Sequence, residues 1–318
     1  MNPALTAVGS VYLRCDEPVT RVDWQAVETG LREARKCGAV RFVAKGVRPE
    51  VSEVVEKATR LALRMGLSVR VDLEVKERWD PRFDMLMKKG IEVVARTAPQ
   101  TPAQGTPAFP RSVAPHVTTY VVVDGSNQRC LEADVETWLV VNGVRRVVLL
   151  LSMDSGLKPA EYVELCARMC RLAAEYPGRV WARLPWAFLD GGSWSVVRRL
   201  CDYARTIGVC LDGGVVPCGV KRPAGDGTPT VRDAPLKHIL RSDRLMVSFR
   251  ETRLPDSVQG VCRRCVFRRY CANICPAHVY NVTGSCTDSY PDCEVLEAHG
   301  LFPKQCLVSE WPEEMGIR

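Results

Sequence analysis

A glycine recurs along the first two thirds of the chain, each time just before a short apolar, β-branched run. These glycines are Gly38, Gly66, Gly90, Gly143, Gly178 and Gly208. Glycine readily ends a helix in the left-handed conformation, and a strand can then follow it. The segments before the glycines mix apolar and charged residues at three-to-four spacing, as amphipathic helices do. The pattern therefore predicts alternating helices and strands.

The periodicity predicts helices at 24–36, 50–65, 161–175 and 194–206, and a first strand at about 9–14. Strand, helix and strand at about 25–30 residues per unit indicates parallel strands joined by right-handed crossovers. Six or seven such units fit the sequence. We predict an α/β fold whose first part is a partial (β/α)6-type, TIM-like barrel.

One unit departs from this pattern. The predicted strand at 91–95 is followed by a stretch, 97–116, that contains five prolines. Proline breaks helices, so we expect a long loop in place of the crossover helix. A flap over the barrel mouth and a passive surface loop both remain open, since long loops serve either purpose.

Composition excludes several classes of protein. Hydrophobic residues make up 46% of the chain and charged residues 25%, which is ordinary for a soluble globular protein. No apolar run approaches the length of a membrane span, and the N-terminus lacks the pattern of a signal peptide. We therefore expect a cytoplasmic protein. The net charge of +7 is a mild excess, and we expect no nucleic-acid partner.

The chain is rich in cysteine, with 15 cysteines of which ten lie after residue 200. Disulfide frameworks usually serve small secreted domains that lack a sufficient core. Because this chain is large and apolar enough to build a core, its cysteines point to metal or iron–sulfur ligation. Disulfides remain the alternative, best attested for intracellular proteins of hyperthermophiles.

Four of the cysteines form a run, C-x2-C-x5-C-x3-C, which Pro276 follows directly. They are Cys262, Cys265, Cys271 and Cys275. Bacterial ferredoxins end a similar run with C-x3-C-P, and there the fourth cysteine serves the other cluster. Zinc is the alternative ligand, although zinc commonly uses two CxxC pairs and the run has one.

The repeating pattern changes after Gly208. Residues 211–218 predict a hairpin with its turn at Asp212-Gly213-Gly214, and residues 235–253 are predicted to be partly helical. We place a domain boundary near residue 207. The first domain is then 1–207 and the second 208–318, with Cys201 on the bridging helix 194–206.

Cysteines on both sides of the run complete a longer pattern. Cys201 is followed by x11-Gly213-x4-Cys218, and Cys293 follows Cys275 after 17 residues. Over about residues 195–295 the chain resembles the SPASM domain, the C-terminal extension of many radical S-adenosylmethionine enzymes. The resemblance implies a small cysteine-rich domain with two auxiliary [4Fe–4S] clusters whose ligands interleave.

The resemblance also assigns ligands to each cluster. The outer cluster takes Cys262, Cys265, Cys271 and Cys293. The inner cluster takes Cys201, Cys218 and Cys275. The family has an extra cysteine before Cys201, where this chain has Ser195. Cys210 is our candidate for the fourth inner ligand because of its proximity. An incomplete site, or one in which substrate occupies the iron, stays open.

The N-terminal part resembles the radical S-adenosylmethionine barrel in a degenerate form. That family carries C-x3-C-x2-C after its first strand, whereas this chain has only Cys15, with Val19 and Val22 in the other two positions. The family's GGEP motif is replaced by KGVRPE at 45–50. The resemblance therefore implies that the catalytic cluster is missing and that S-adenosylmethionine is not a cofactor.

Other residues have weaker implications. We interpret Cys37, Cys130, Cys166, Cys170, Cys286 and Cys306 as structural thiols. Arg263, Arg264, Arg268 and Arg269 interleave with the run and either raise a cluster potential or form a solvated basic face. The histidines, His116, His238, His278 and His299, form no metal-ligand pair in the sequence.

Two classes of function are consistent with these features, and a third is kept as the comparison against which they are tested. The first is a non-catalytic iron–sulfur protein, acting in electron transfer or as an accessory scaffold in peptide or cofactor maturation. Its partner would be a radical S-adenosylmethionine enzyme, or the peptide or cofactor precursor that such an enzyme modifies. The second is an active maturase with an atypical cluster site. The third is a zinc-stabilised interaction module.

Overall fold

A computed structural model of the chain describes residues 7–15, 22–47, 52–75, 91–97, 114–151, 157–189, 203–221, 227–251, 257–268, 271 and 275–308. The strands are β1 (Ser10–Arg14), β2 (Arg41–Val47), β3 (Ser68–Val75), β4 (Glu92–Thr97), β5 (Val117–Val123), β6 (Arg146–Leu151), β7 (Val180–Arg183), β8 (Thr206–Cys210) and β9 (Val215–Pro217). Within the described residues they form one sheet, in the order β7-β6-β5-β4-β3-β2-β1-β8-β9.

The sheet is mostly parallel, as the alternation of helices and strands predicts. Strands β1 to β8 run in one direction, and only β9 is antiparallel to its neighbour. From β1 to β7 each strand lies beside the next one in the chain, which is the arrangement that successive crossovers build. The mixed α/β class is confirmed. The six-unit barrel count is not, because β8 adds a further parallel strand beside β1.

The helices are α1 (Trp24–Lys36), α2 (Ser52–Arg64), α3 (Leu131–Glu136), α4 (Pro159–Glu175), α5 (Leu236–Ser242), α6 (Arg244–Glu251), α7 (Gly260–Arg264), α8 (Pro276–Thr283) and α9 (Pro291–Ala298). A π-helical turn, Thr137–Val141, continues α3. Helices α1, α2 and α4 lie within two residues of the predicted bounds. Helices α5 and α6 confirm that residues 235–253 are partly helical.

The glycine pattern is confirmed at four positions and wrong at one. Gly38, Gly66, Gly143 and Gly178 have φ values of +99°, +71°, +66° and +76°, the left-handed conformation that ends a helix. Gly208 instead lies inside β8. This position requires a glycine for another reason: a Cβ there would approach Val216 Cγ2 to 3.0 Å and Arg14 Cγ to 3.2 Å. Gly90 lies outside the described residues.

The predicted bridging helix 194–206 lies mostly outside the described residues, and its end is different from the prediction. Tyr203–Arg205 forms a short 3-10 turn, and β8 begins at Thr206. The following hairpin is confirmed, since β8 and β9 pair antiparallel around Gly213, whose φ is +90°. Of the stretch 97–116, only its ends are described, so the role of that loop stays a prediction.

The larger of two hydrophobic clusters in the described residues runs through the sheet and into the cysteine-rich part. It includes Leu13 and Leu149 of the sheet together with Cys293, Leu296 and Phe302 near the C-terminus. Strand β8 also crosses the proposed boundary at 207 and pairs with β1. The cysteine-rich segment is therefore anchored to the sheet by packing, and the boundary itself stays a prediction. In the described part of the chain, no helix is both long and apolar enough to cross a membrane.

Candidate metal centre

The structure brings together the four cysteines assigned to the outer cluster. Cys262 lies on α7, Cys265 directly after it, and Cys293 on α9; Cys271 follows them in the run. All four line one cavity, which is partly open to solvent. The fourth cysteine of the run, Cys275, does not line it.

The size of this cavity bears on what it can hold. With the side chains as they stand, the enclosed space is about 10 Å³, which is close to what a single water molecule needs. Tetrahedral zinc would need all four sulfurs about 2.3 Å from a single point. Among the described residues, no three His, Cys, Asp or Glu side chains converge on such a point. The thiols thus line one site without forming the coordination sphere of a bound ion, so the preference for a cluster over zinc comes from the spacing of the cysteines.

Helix α9 and the segment just before it hold α7, and so Cys262, in position. The Val261 N–H donates to Glu294 Oε1 at 2.7 Å, and the Cys262 N–H donates to Ser289 Oγ at 2.9 Å. These are two of the N–H groups that the first turn of a helix leaves without a partner. Gly260, with φ of +57°, makes the approach possible, because a Cβ there would lie 1.8 Å from Glu294 Oε1.

Two of the thiols accept hydrogen bonds from backbone N–H groups. Tyr290 donates to Cys262 Sγ and Trp186 donates to Cys271 Sγ, each at 3.4 Å. Trp186 belongs to the 3-10 turn Trp186–Phe188 that follows β7. The sheet thus contributes directly to the outer site. Hydrogen bonds to cluster sulfurs are one of the features that tune reduction potential.

The protonation of these thiols depends on their mutual contact and on burial. The Cys293 thiol donates a hydrogen bond to Cys262, which lowers the pKa of Cys262 and raises that of Cys293 well above its usual value. Burial raises the pKa of Cys265 to about 11. Ligation requires thiolates, so metal binding at this site must release protons.

Aromatic rings form part of the wall of the outer site. Trp186 and Phe267 have ring centroids 6.3 Å apart, and Phe188 meets Phe302 edge to face at 5.6 Å. Trp186 and Phe302 also line the cavity. An apolar wall restricts water and lowers the local dielectric constant, so charges near the cavity interact strongly.

At the inner site the structure places two of the assigned ligands on adjoining segments. Cys275 precedes α8, and the chain just after Cys218 packs on the first turns of that helix. Asn281 Nδ2 donates to the Gly219 carbonyl at 3.1 Å, and a Cβ on Gly219 would lie 3.1 Å from Ala277 Cβ. The crossover that puts Cys275 with Cys218 is compatible with this packing.

The two remaining inner ligands are less well defined. Cys201 lies outside the described residues. Cys210 is buried at the end of β8, level with Arg14 on β1. Arg14 is itself buried, and its Nη1 donates to the carbonyl of Val220, two residues beyond Cys218, at 2.8 Å. Strand β1 is therefore tied to the segment that carries Cys218, and the role of Cys210 as a ligand stays a prediction.

The degenerate motif of the barrel is only partly described. Cys15 is buried at the end of β1, and its thiol donates to the Leu13 carbonyl at 3.8 Å. Val22 is 37% exposed, and Val19 lies outside the described residues. Residues 45–47 end β2, and the rest of KGVRPE also lies outside the described residues.

The cysteines interpreted as structural differ in burial. Cys166 and Cys170 of α4 are buried in the core, and burial raises the pKa of Cys166 well above its usual value. Cys286 and Cys306 are buried as well, and burial raises the pKa of Cys286 to about 11. Cys37 and Cys130 are half-buried.

The structure separates the arginines that the sequence groups together. Arg268 lines the outer cavity. Arg264 forms an ion pair with Glu297 at 2.6 Å, and Arg263 is exposed. Arg269 lies outside the described residues. The sequence alone does not distinguish among these arginines.

Three residues that shape the outer site are not predicted from the sequence: Gly260, Glu294 and Trp186. Of these, only Gly260 has a signal in the sequence, because it is a glycine that lies just before the cysteine run.

Comparison with known proteins defines the fold. No protein-family model and no curated protein matches the sequence. Among solved structures the chain is similar to SuiB of Streptococcus suis bound to S-adenosylmethionine, with a TM-score of 0.60 and 11% identity over 91% of this chain and 78% of SuiB. It is also similar to anSMEcpe with bound AdoMet and Cp18Cys peptide, with a TM-score of 0.60 and 13% identity over 91% of this chain and 94% of anSMEcpe.

A third similar structure is SuiB bound to its precursor peptide SuiA, with a TM-score of 0.59 and 11% identity over 91% of this chain and 76% of SuiB. At such low identity these similarities establish a shared fold. The chain thus has the α/β fold of proteins that have been solved with S-adenosylmethionine and with peptides, in agreement with the resemblance found in the sequence.

Proposed function

We propose that this chain is an iron–sulfur protein that binds two [4Fe–4S] clusters and acts in electron transfer or as an accessory scaffold in peptide or cofactor maturation. The observation that carries this proposal is the cavity lined by Cys262, Cys265, Cys271 and Cys293. These four thiolates hold the outer cluster. Cys201, Cys218 and Cys275 hold the inner one, with Cys210 as candidate fourth ligand.

A [4Fe–4S] cluster supplies one-electron transfer when bound in such a site. The chain's own residues hold and insulate it. The backbone N–H groups of Tyr290 and Trp186 stabilise thiolate charge on Cys262 and Cys271. The ring pairs around Trp186 and Phe302 limit the access of water.

The partner is a radical S-adenosylmethionine enzyme, or the peptide or cofactor precursor on which such an enzyme acts. SuiB has been solved with its precursor peptide and anSMEcpe with a peptide, so the shared fold accommodates peptides in both. We propose that this chain retains that property without the radical chemistry.

The first test is the metal content of the anaerobically purified protein. We expect about eight iron atoms per chain with matching sulfide, and broad visible absorption, because the cysteine spacings provide two sites. Iron and sulfide counts with a visible spectrum make the measurement. A colourless protein that contains zinc would favour the interaction module and overturn the proposal.

The second test concerns S-adenosylmethionine. Val19 and Val22 have no lone pair for iron, so a third cluster lacks its thiolates. The reduced protein should form no 5′-deoxyadenosine above background, and Cys15→Ala should leave its iron content unchanged. The similarity to structures with bound S-adenosylmethionine favours the alternative of an active maturase. Formation of more than one equivalent of 5′-deoxyadenosine would establish that alternative.

A further inference from the structure

The lining of the outer cavity contains one charged side chain among the described residues besides the thiols, and it is Arg268. Its backbone N–H donates to the carbonyl of Cys265 at 3.0 Å, so the turn that begins at a ligand also positions Arg268. Its Nη1 donates to the Arg263 carbonyl at the end of α7, at 3.5 Å. The side chain is partly buried.

The neighbouring Arg263 and Arg264, by contrast, do not line the outer cavity. Arg264 is paired with Glu297 on the surface, and Arg263 is exposed and does not line the cavity. Charges exposed to water are screened, whereas a charge at a partly buried site acts at a lower effective dielectric constant. Position alone therefore gives Arg268 a stronger electrostatic effect on this cavity than Arg263 has.

We infer that Arg268 sets the reduction potential of the outer cluster. This inference rests on the proposed function. A [4Fe–4S] cluster with four thiolates carries a charge of roughly −2, and adding one electron makes it more negative. A positive charge on a residue that lines the cavity stabilises the reduced state more than the oxidised state. Arg268 thus raises the reduction potential of the outer cluster, and an electron delivered to the protein preferentially resides on that cluster.

The test is a redox titration of the full-length holoprotein followed by electron paramagnetic resonance. Arg268→Gln should lower the midpoint potential of the outer cluster and leave the inner cluster unchanged. Arg268→Lys keeps the charge and should recover much of the shift. Arg263→Gln is the matched control, since it removes an exposed charge that does not line the cavity, and it should shift neither potential. The signal that disappears in Cys293→Ala identifies the outer cluster.

The outcomes separate this inference from the proposed function. If the wild-type protein lacks iron, both fail. If both clusters are present and Arg268→Gln leaves the outer midpoint potential unchanged, or Arg263→Gln shifts it equally, the inference about Arg268 alone is overturned. Iron content is measured for every variant, and Arg268→Lys provides a comparison that retains the cation at the cavity.

Discussion

Replacing Cys293 with alanine should remove up to about four iron atoms per chain and leave the inner cluster in place. Cys293 is buried on α9 and closes the outer cavity opposite α7. Losing a thiolate opens iron to water and weakens the whole cluster, because each ligand contributes to metal affinity. Iron counts and the electron paramagnetic resonance spectrum of the reduced protein make the measurement.

The companion variants decide how the two sites share their ligands. Cys218→Ala should spare the outer cluster, and Cys275→Ala should give the same spectrum as Cys218→Ala. The packing of the chain after Cys218 against α8, which begins just after Cys275, supports this pairing. A Cys275→Ala spectrum that matches Cys293→Ala would mean that the whole run binds one cluster. Cys286→Ala is the control at a buried thiol that we interpret as structural, and it should retain both clusters.

Replacing Gly260 with alanine should destabilise the protein by about 3–5 kcal/mol and abolish the outer cluster. The backbone has φ of +57°, and the new Cβ would lie 1.8 Å from Glu294 Oε1 and 2.5 Å from Ser289 Oγ. Both side chains would have to move, and each accepts a hydrogen bond from the turn that carries Cys262. Denaturant unfolding and iron counts report the two effects.

Gly284→Ala is the matched control for this experiment. Gly284 follows α8 with φ of +79°, but nothing lies within 4 Å of the position that a Cβ would take. The substitution should therefore cost only about 1–2 kcal/mol, from the left-handed backbone, and keep the outer cluster. Equal losses of stability and iron in the two variants would contradict the role assigned to the contact between Gly260 and Glu294.

The sequence predicts those parts of the fold that depend on local patterns. Helix α1 has its predicted bounds because amphipathic periodicity and the left-handed Gly38 both act within a few residues. The hairpin around Gly213 is predictable for the same reason. The prediction that Gly208 ends a helix is wrong because contacts between strands require a glycine there. A Cβ on Gly208 would crowd Arg14 and Val216, which lie on the neighbouring strands β1 and β9.

For the candidate site, the spacing of the cysteines predicts which of them act as ligands, since a chelating run is itself a local pattern. Only the tertiary structure decided what surrounds them. The N–H of Trp186 reaches Cys271 across 85 residues of sequence, and Glu294 reaches the turn before Cys262 across 33. Among the interleaved arginines, packing alone brings Arg268 to the cavity. Such contacts depend on how β7, α7 and α9 pack together, and no spacing within one segment encodes that arrangement.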